Sequence, residues 1–369
     1  MKIKGPEIEP RPMPAKLSVT RLIDEYMPAF NGARLREACQ LLVNKILRPE
    51  VTVGLSVAGA LTPAGFGTSV LAPLIQAGFI DYIVSTGANL YHDMHYSLGL
   101  PLYSSSPFLD DRELRKREIV RIYDIVIDFE SLLSTDRFCY LLLESELLRG
   151  KMSTARMHHR MGKLIAQAEK ELKRPHPSLM SAAYKADVPI FTSSPGDSTI
   201  GLNIAAKQFR GLDLEIDVSA DVNETTAIVF AATRESGKSA VVILGGGSPK
   251  NFLLQTEPQI QEIMGLSERG HDYFIQITDA RPDTGGLSGA TPSEAVSWGK
   301  IDPSGLPNAI VVYADSAMVL PILAAYVLTN AEKRPKKRLM KNLDGLVKRL
   351  GKAYKGRRLG VRPAKQKPR

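Results

Sequence analysis

Apolar runs of five to seven residues recur along the chain, at Val51–Val57, Ile80–Ser85, Pro189–Ser193, Leu214–Val218, Ala240–Leu244, Tyr273–Ile277 and Ala309–Tyr313. Between them, apolar positions return every three to four residues, at Arg34–Leu47, Phe66–Ala77, Ile200–Phe209, Glu224–Ala232, Asn251–Met264 and Ala317–Leu328. The first pattern predicts strands and the second helices. Their alternation predicts an α/β fold: a doubly wound, mostly parallel sheet with helices on both faces, Rossmann-like in kind. Arg112–Leu172 carries no strand signal and is expected to be a helical insertion of two or three helices. Its polar part, Met152–Leu172, is expected on the outside, with His158 and His159 in solvent. The pattern divides the chain into an N-terminal arm (1–33), an α/β domain (34–330) and a tail (331–369). The arm is rich in Pro and charge over its first 16 residues.

Charge changes this picture. The 369 residues carry a net charge of +9, but unevenly. From Ala331 to Arg369 there are 16 Lys and Arg against Glu332 and Asp344, a net of +14. The rest holds 32 basic and 37 acidic side chains, a net of −5. An acidic body suits a small cationic substrate better than a nucleic acid. The basic tail is expected to be a disordered, solvated arm, open to weak nucleic-acid contact, with at most a short helix around Leu339–Leu350. Cys39 and Cys139 have no metal or redox spacing, which favours a reducing compartment and a cytoplasmic protein. No apolar stretch approaches the length of a membrane span, and the N-terminus lacks a signal-peptide core.

The main candidate chemistry lies at Glu294-Ala295-Val296-Ser297-Trp298-Gly299-Lys300, which holds the only Trp. If Pro292–Trp298 is helical, Glu294 and Trp298 share a face and Gly299 ends the helix. Desolvation beside an apolar wall lowers the pKa of a Lys, and a neutral Lys amine attacks carbonyls and imines. The Gly-rich loop Thr284–Ala290, with Gly285, precedes this block and is expected to be flexible. Gly245-Gly246-Gly247 follows an apolar run and precedes a helix. Thr86-Gly87-Ala88-Asn89 and Ser193–Asp197 also follow runs, as loops at a ligand crevice do. Gly237-Lys238-Ser239 is not a phosphate loop, because it precedes a strand and Ala232 stands where a Gly is required. His92, Asp93 and His95 have no distant partner, so no metal site is assigned.

Taken together, these motifs resemble deoxyhypusine synthase and its relatives, the deoxyhypusine synthase-like proteins and homospermidine synthases, from about Val51 to Leu328. The strongest pieces are Ser85–Asn89 with His92-Asp93, Ile243–Gly247, Ser288–Ala290 with Glu294–Lys300, and Val312–Asp315. The form Thr-Gly-Ala-Asn-Leu-x-His-Asp looks like the archaeal and bacterial branch. The resemblance implies an NAD-dependent transferase that moves an aminobutyl group from spermidine, through an imine on Lys300, to an acceptor amine. It further implies that Glu294 and Trp298 hold the polyamine, with Asn251, His92 and Gly285 beside it. Thr86, Gly87, Ala88, Asp197, Gly246, Asp279, Ala280, Asp315 and Ser316 would line the NAD site, and a homotetramer is implied. The chain departs from the family where Asn251 replaces its His, His92 replaces a Glu, and Leu202 and Leu287 replace acids. Fewer carboxylates favour a small acceptor such as putrescine. The alternatives are a protein Lys of a translation factor, and a non-catalytic NAD-binding homologue whose tail binds nucleic acid.

Overall fold

The computed structural model of the chain describes residues 7–234 and 236–357. Six strands, β1 (Val51–Val57), β2 (Tyr82–Ser85), β3 (Ile190–Thr192), β4 (Lys238–Leu244), β5 (Tyr273–Ile277) and β6 (Ala309–Val312), form one sheet in the order β6-β5-β4-β1-β2-β3. Every pairing in it is parallel. The sheet grows outward from β1 in both directions, as a doubly wound fold does.

Side chains alternate between the two faces of each strand. Val242, Leu244, Ile275 and Ile277 pack with Leu35, Leu71, Leu320 and Leu323 on one face. Val241, Ile243 and Phe274 pack with Ile228, Leu253 and Leu343 on the other. Both faces are therefore covered, which is why the strands read as continuous apolar runs. Helices Phe30–Leu41 and Ser316–Asn330 lie on the first side, and Val218–Ala232, Gly247–Leu254 and Leu339–Lys355 on the second.

The insertion differs from the helical expectation. Ile119–Ile122 and Ile125–Asp128 form an antiparallel hairpin, and Gly150–Met152 pairs with Leu214–Ile216 in a separate parallel ribbon. Leu214–Ile216 is thus a strand outside the main sheet. The hairpin had a signal, two β-branched runs two residues apart, but Tyr123-Asp124 is not a usual turn pair. The helix Thr154–Glu171 is not an outer helix either. It buries Met157, His158, Met161 and Ile165. His158 Nδ1 lies 2.8 Å from the Ile190 carbonyl, so this imidazole is a core group, and burial lowers its pKa to about 4.

The tail is the largest correction. Arg334 is buried and its Nη2 donates to Asp81 Oδ2 at 2.6 Å. It also donates to the carbonyls of Val51, at 2.7 Å, and Gly78. Burial raises the Asp81 carboxyl, and the guanidinium opposes that shift. Beyond this clasp, Leu339–Lys355 is a helix whose Leu343, Leu346 and Leu350 are buried. Their spacing of three and four is the amphipathic stripe that the run of basic residues obscured. Residues 331–357 are therefore docked on the body rather than a free arm, and 358–369 lie outside the described residues. At the other end, residues 7–16 are exposed, whereas the helix Val19–Tyr26 buries Ile23.

Replacing Arg334 by Met would leave Asp81 buried without its countercharge. The variant is expected to lose about 3–5 kcal/mol of unfolding free energy at neutral pH. Urea denaturation checks this, and a loss below about 1 kcal/mol would show that the clasp is idle.

Candidate active site

The block Glu294–Lys300 folds as its residues dictate. Thr291 caps the helix Pro292–Ser297 by accepting from Glu294 N at 3.2 Å, and Pro292 suits its first turn. Gly299 ends it with φ of 67°. Gly299 N donates to the Val296 carbonyl at 3.0 Å and Lys300 N to that of Ala295 at 2.9 Å, the paired bonds of a Schellman close. A second constraint acts at Gly299. A Cβ there would lie 2.6 Å from Gln261 Oε1, and Gln261 Nε2 donates to the Gly299 carbonyl at 2.7 Å. On the far side, His271 N donates to the Lys300 carbonyl at 3.0 Å. The Lys300 backbone is thus fixed from both directions, and only its side chain is free to move.

Lys300 lines a cavity of about 280 Å3 with Lys250, Asn251, Phe274, Glu294 and Trp298. Its Nζ donates to Asn251 Oδ1 at 3.3 Å and stands 5.8 Å from the centre of the Trp298 ring. Desolvation lowers the Lys300 pKa, while the Glu294 and Glu262 carboxylates push it back up. Trp298 is 57% exposed, so much of the apolar wall comes from Leu254, Phe274 and Ala295. The site therefore holds an amine biased toward its neutral form, beside a carboxylate that can grip a cation.

Lys250 escaped the sequence reading. Its Nζ donates to Gln276 Oε1 at 2.9 Å and to the carbonyls of Ala290, at 2.7 Å, and Ser288, at 3.4 Å. Burial is the main reason its pKa falls to about 8. The signal available was a Lys three residues past three glycines, at the start of an apolar helix. Through these bonds the loop Thr284–Ala290 is pinned. Ser288 Oγ also accepts from Gly247 N at 2.9 Å.

The other candidate positions lie at the carboxyl ends of the strands. Thr86, Gly87 and Ala88 follow β2, Asp197 lies past β3, Gly246 past β4, Asp279 and Ala280 past β5, and Asp315 and Ser316 past β6. Strand order reverses between β1 and β4, and ligands of such sheets bind at that crevice. The residues fit a dinucleotide. Helices Gly87–Leu98 and Gly247–Leu254 begin at this edge and turn N–H groups toward it. A Cβ on Gly246 would lie 2.4 Å from Ser288 Cα, so backbone alone fits there. Thr86 Oγ1 donates to the Gly59 carbonyl at 2.6 Å, which brings the loop after β1 into the crevice, another part the motifs missed. Asp315 accepts from Ala317 N and Met318 N, both at 3.1 Å, as a helix cap.

Two substrate-site candidates do not line the Lys300 cavity. His92 Nδ1 faces His95 Nε2 at 3.2 Å, and His95 Nδ1 faces Thr135 Oγ1 at 2.6 Å. Asp93 instead accepts from Leu179 N, so His92, Asp93 and His95 do not converge as ligands. Gly285 sits exposed at φ of 73°. Leu287 does line the cavity, whereas Leu202 is exposed on the helix Thr199–Gln208.

Comparison with known proteins converges on one family. The sequence model of the deoxyhypusine synthase family matches residues 21–327. A deoxyhypusine synthase-like protein of Thermosynechococcus vestitus is 57% identical over 350 residues, spanning 94% of this chain and 87% of that protein. "Probable deoxyhypusine synthase 2" of Methanosarcina mazei is 38% identical over 309 residues, spanning 83% of this chain and 86% of its own. A crystal structure described as "a putative deoxyhypusine synthase from Entamoeba histolytica" superposes with a TM-score of 0.54 at 14% identity, covering 87% of this chain and 96% of that one. This last match bears on fold alone.

Glu294 is the first of the two carboxylates that support the Lys300 cation. Glu294→Gln removes that support, so the amine should lose its proton at lower pH. Acylation of Lys300, followed by mass spectrometry across a pH series, should show its midpoint displaced downward. A midpoint that stays put or rises contradicts the electrostatic account.

Proposed function

The chain belongs to the deoxyhypusine synthase family, and on that premise we propose that it transfers an aminobutyl group from spermidine to an acceptor amine through an imine on Lys300. One observation carries the reading: the Lys300 amine sits in a cavity with its pKa lowered, 3.3 Å from Asn251 and beside Glu294 and Trp298. When bound, NAD would supply hydride acceptance at the amine carbon and hydride donation to the product imine. Thr86, Gly87, Ala88, Asp197, Gly246, Asp279, Ala280, Asp315 and Ser316 would hold it.

The neutral amine of Lys300 attacks the imine carbon. A bond forms from Nζ to that carbon, the bond to the departing diaminopropane breaks, and the proton from Nζ leaves with that amine. An acceptor amine repeats the exchange and frees Lys300. Glu294 pairs with a substrate ammonium, and Trp298 covers its methylenes. Asn251 orients Nζ but cannot carry a proton near neutral pH.

We favour a small diamine such as putrescine as the acceptor, with homospermidine as product. Asn251 in place of the family's His, and Leu287 on the cavity wall in place of an acid, support that choice over a protein Lys. Docking of residues 331–357 on the body weighs against a free nucleic-acid arm. The family likeness further supports a cytoplasmic homotetramer.

Incubation with spermidine and NAD, followed by borohydride, should add mass to Lys300 and to no other Lys. Absence of the adduct, with NAD still bound, would sink the imine reading. Adding putrescine should then yield homospermidine; a Lys300 adduct without that product would exclude putrescine as the acceptor.

A further inference from the structure

A second cavity of about 310 Å3 adjoins the first, and Gln255 lines both. Its walls include Thr226, Phe252, Gln259, Glu262 and Ile263. The turn Gln259–Ile263 is π-helical, a winding often found at functional sites. Successive residues of this turn serve the two cavities. Gln261 holds the Gly299 carbonyl, one residue before Lys300. Glu262 lines the second cavity, close enough that its charge acts on Lys300.

Two groups in the second cavity have no internal use. Among the described residues, the Glu262 carboxylate makes no hydrogen bond or ion pair that would occupy it. The Thr226 hydroxyl is buried and also has no hydrogen-bond partner. A free carboxylate beside the apolar Phe252 and Ile263 suits an alkylammonium chain.

We propose that this second cavity is the acceptor subsite, binding a linear diamine whose distal ammonium pairs with Glu262 while its other amine reaches Lys300 past Gln255. The assignment to the acceptor rests on the imine reading of Lys300. It makes Glu262 a specificity-determining residue, selecting a diamine over a monoamine.

Calorimetric titration of the full chain with 1,4-diaminobutane and with butylamine tests the subsite without turnover. The diamine should bind about tenfold more tightly, the size expected of one charged pair. Glu262→Gln should abolish that advantage and leave butylamine affinity unchanged. Glu262 is exposed, so the substitution spares the core. Equal affinities in the unaltered protein, or a diamine advantage that survives Glu262→Gln, would overturn the subsite. A missing Lys300 adduct alongside a Glu262-dependent diamine preference would overturn the imine reading while supporting the diamine site itself.

Discussion

Parallel pairing of β1 with both β2 and β4 is the constraint on which the site depends. Val57 stands opposite Ser85 in one neighbour and Leu244 in the other, so the three strands end level. The ladder then continues into the loops. Ala58 N donates to the Leu244 carbonyl at 3.1 Å, Thr86 N to that of Val57 at 3.1 Å, and Gly245 N to that of Ile277 at 2.8 Å. Three chain segments far apart in sequence are thereby held side by side at one edge. A parallel strand must be followed by a crossover back to the opposite edge, so each of these loops is the start of a crossover. The chemistry is gathered at one end of the sheet because the topology leaves it no other.

Much of this was legible before the structure. Both faces of the sheet are buried, so its strands had to be apolar throughout, and all six were read within a few residues of their positions. Gly299 was legible as a helix end because only a left-handed residue closes a Schellman motif without strain. What could not be read depended on partners distant in sequence. Arg334 looks like any basic residue until Asp81 is placed against it. His158 looks polar until the Ile190 carbonyl meets it. Net charge over a window hides the docking of the tail, because burial acts on one face of its helix, through Leu343, Leu346 and Leu350.

Two lysines share the cavity, and their hydrogen bonds separate their roles. Lys250 has three acceptors around it, and only an ammonium has three protons to give. Those acceptors favour the charged form, and its pKa of about 8 leaves it a cation at neutral pH. Lys250 is thus committed to holding the Ser288–Ala290 segment against β5. Lys300 makes one side-chain hydrogen bond, a long one, to an uncharged amide. A neutral amine loses little there. The neighbouring cations also repel, as the effect of Lys300 on Lys250 shows. One charged amine in the cavity makes a second less favourable, and Lys300 has fewer acceptors to hold its proton than Lys250 has.

The carboxylates near Lys300 add a dependence on occupancy. Glu294 and Glu262 both raise its pKa, against the desolvation that lowers it. Without a bound cation, those charges offset part of the desolvation. On the proposed reaction, a substrate ammonium seated on Glu294 would offset its field at Lys300 and expel water from the cavity. Both changes disfavour the Lys300 cation. The released proton need not pass through a His. The departing amine of the proposed reaction can take it up. Filling the site would therefore favour the neutral amine of Lys300, on the proposed reaction, without an imidazole at position 251.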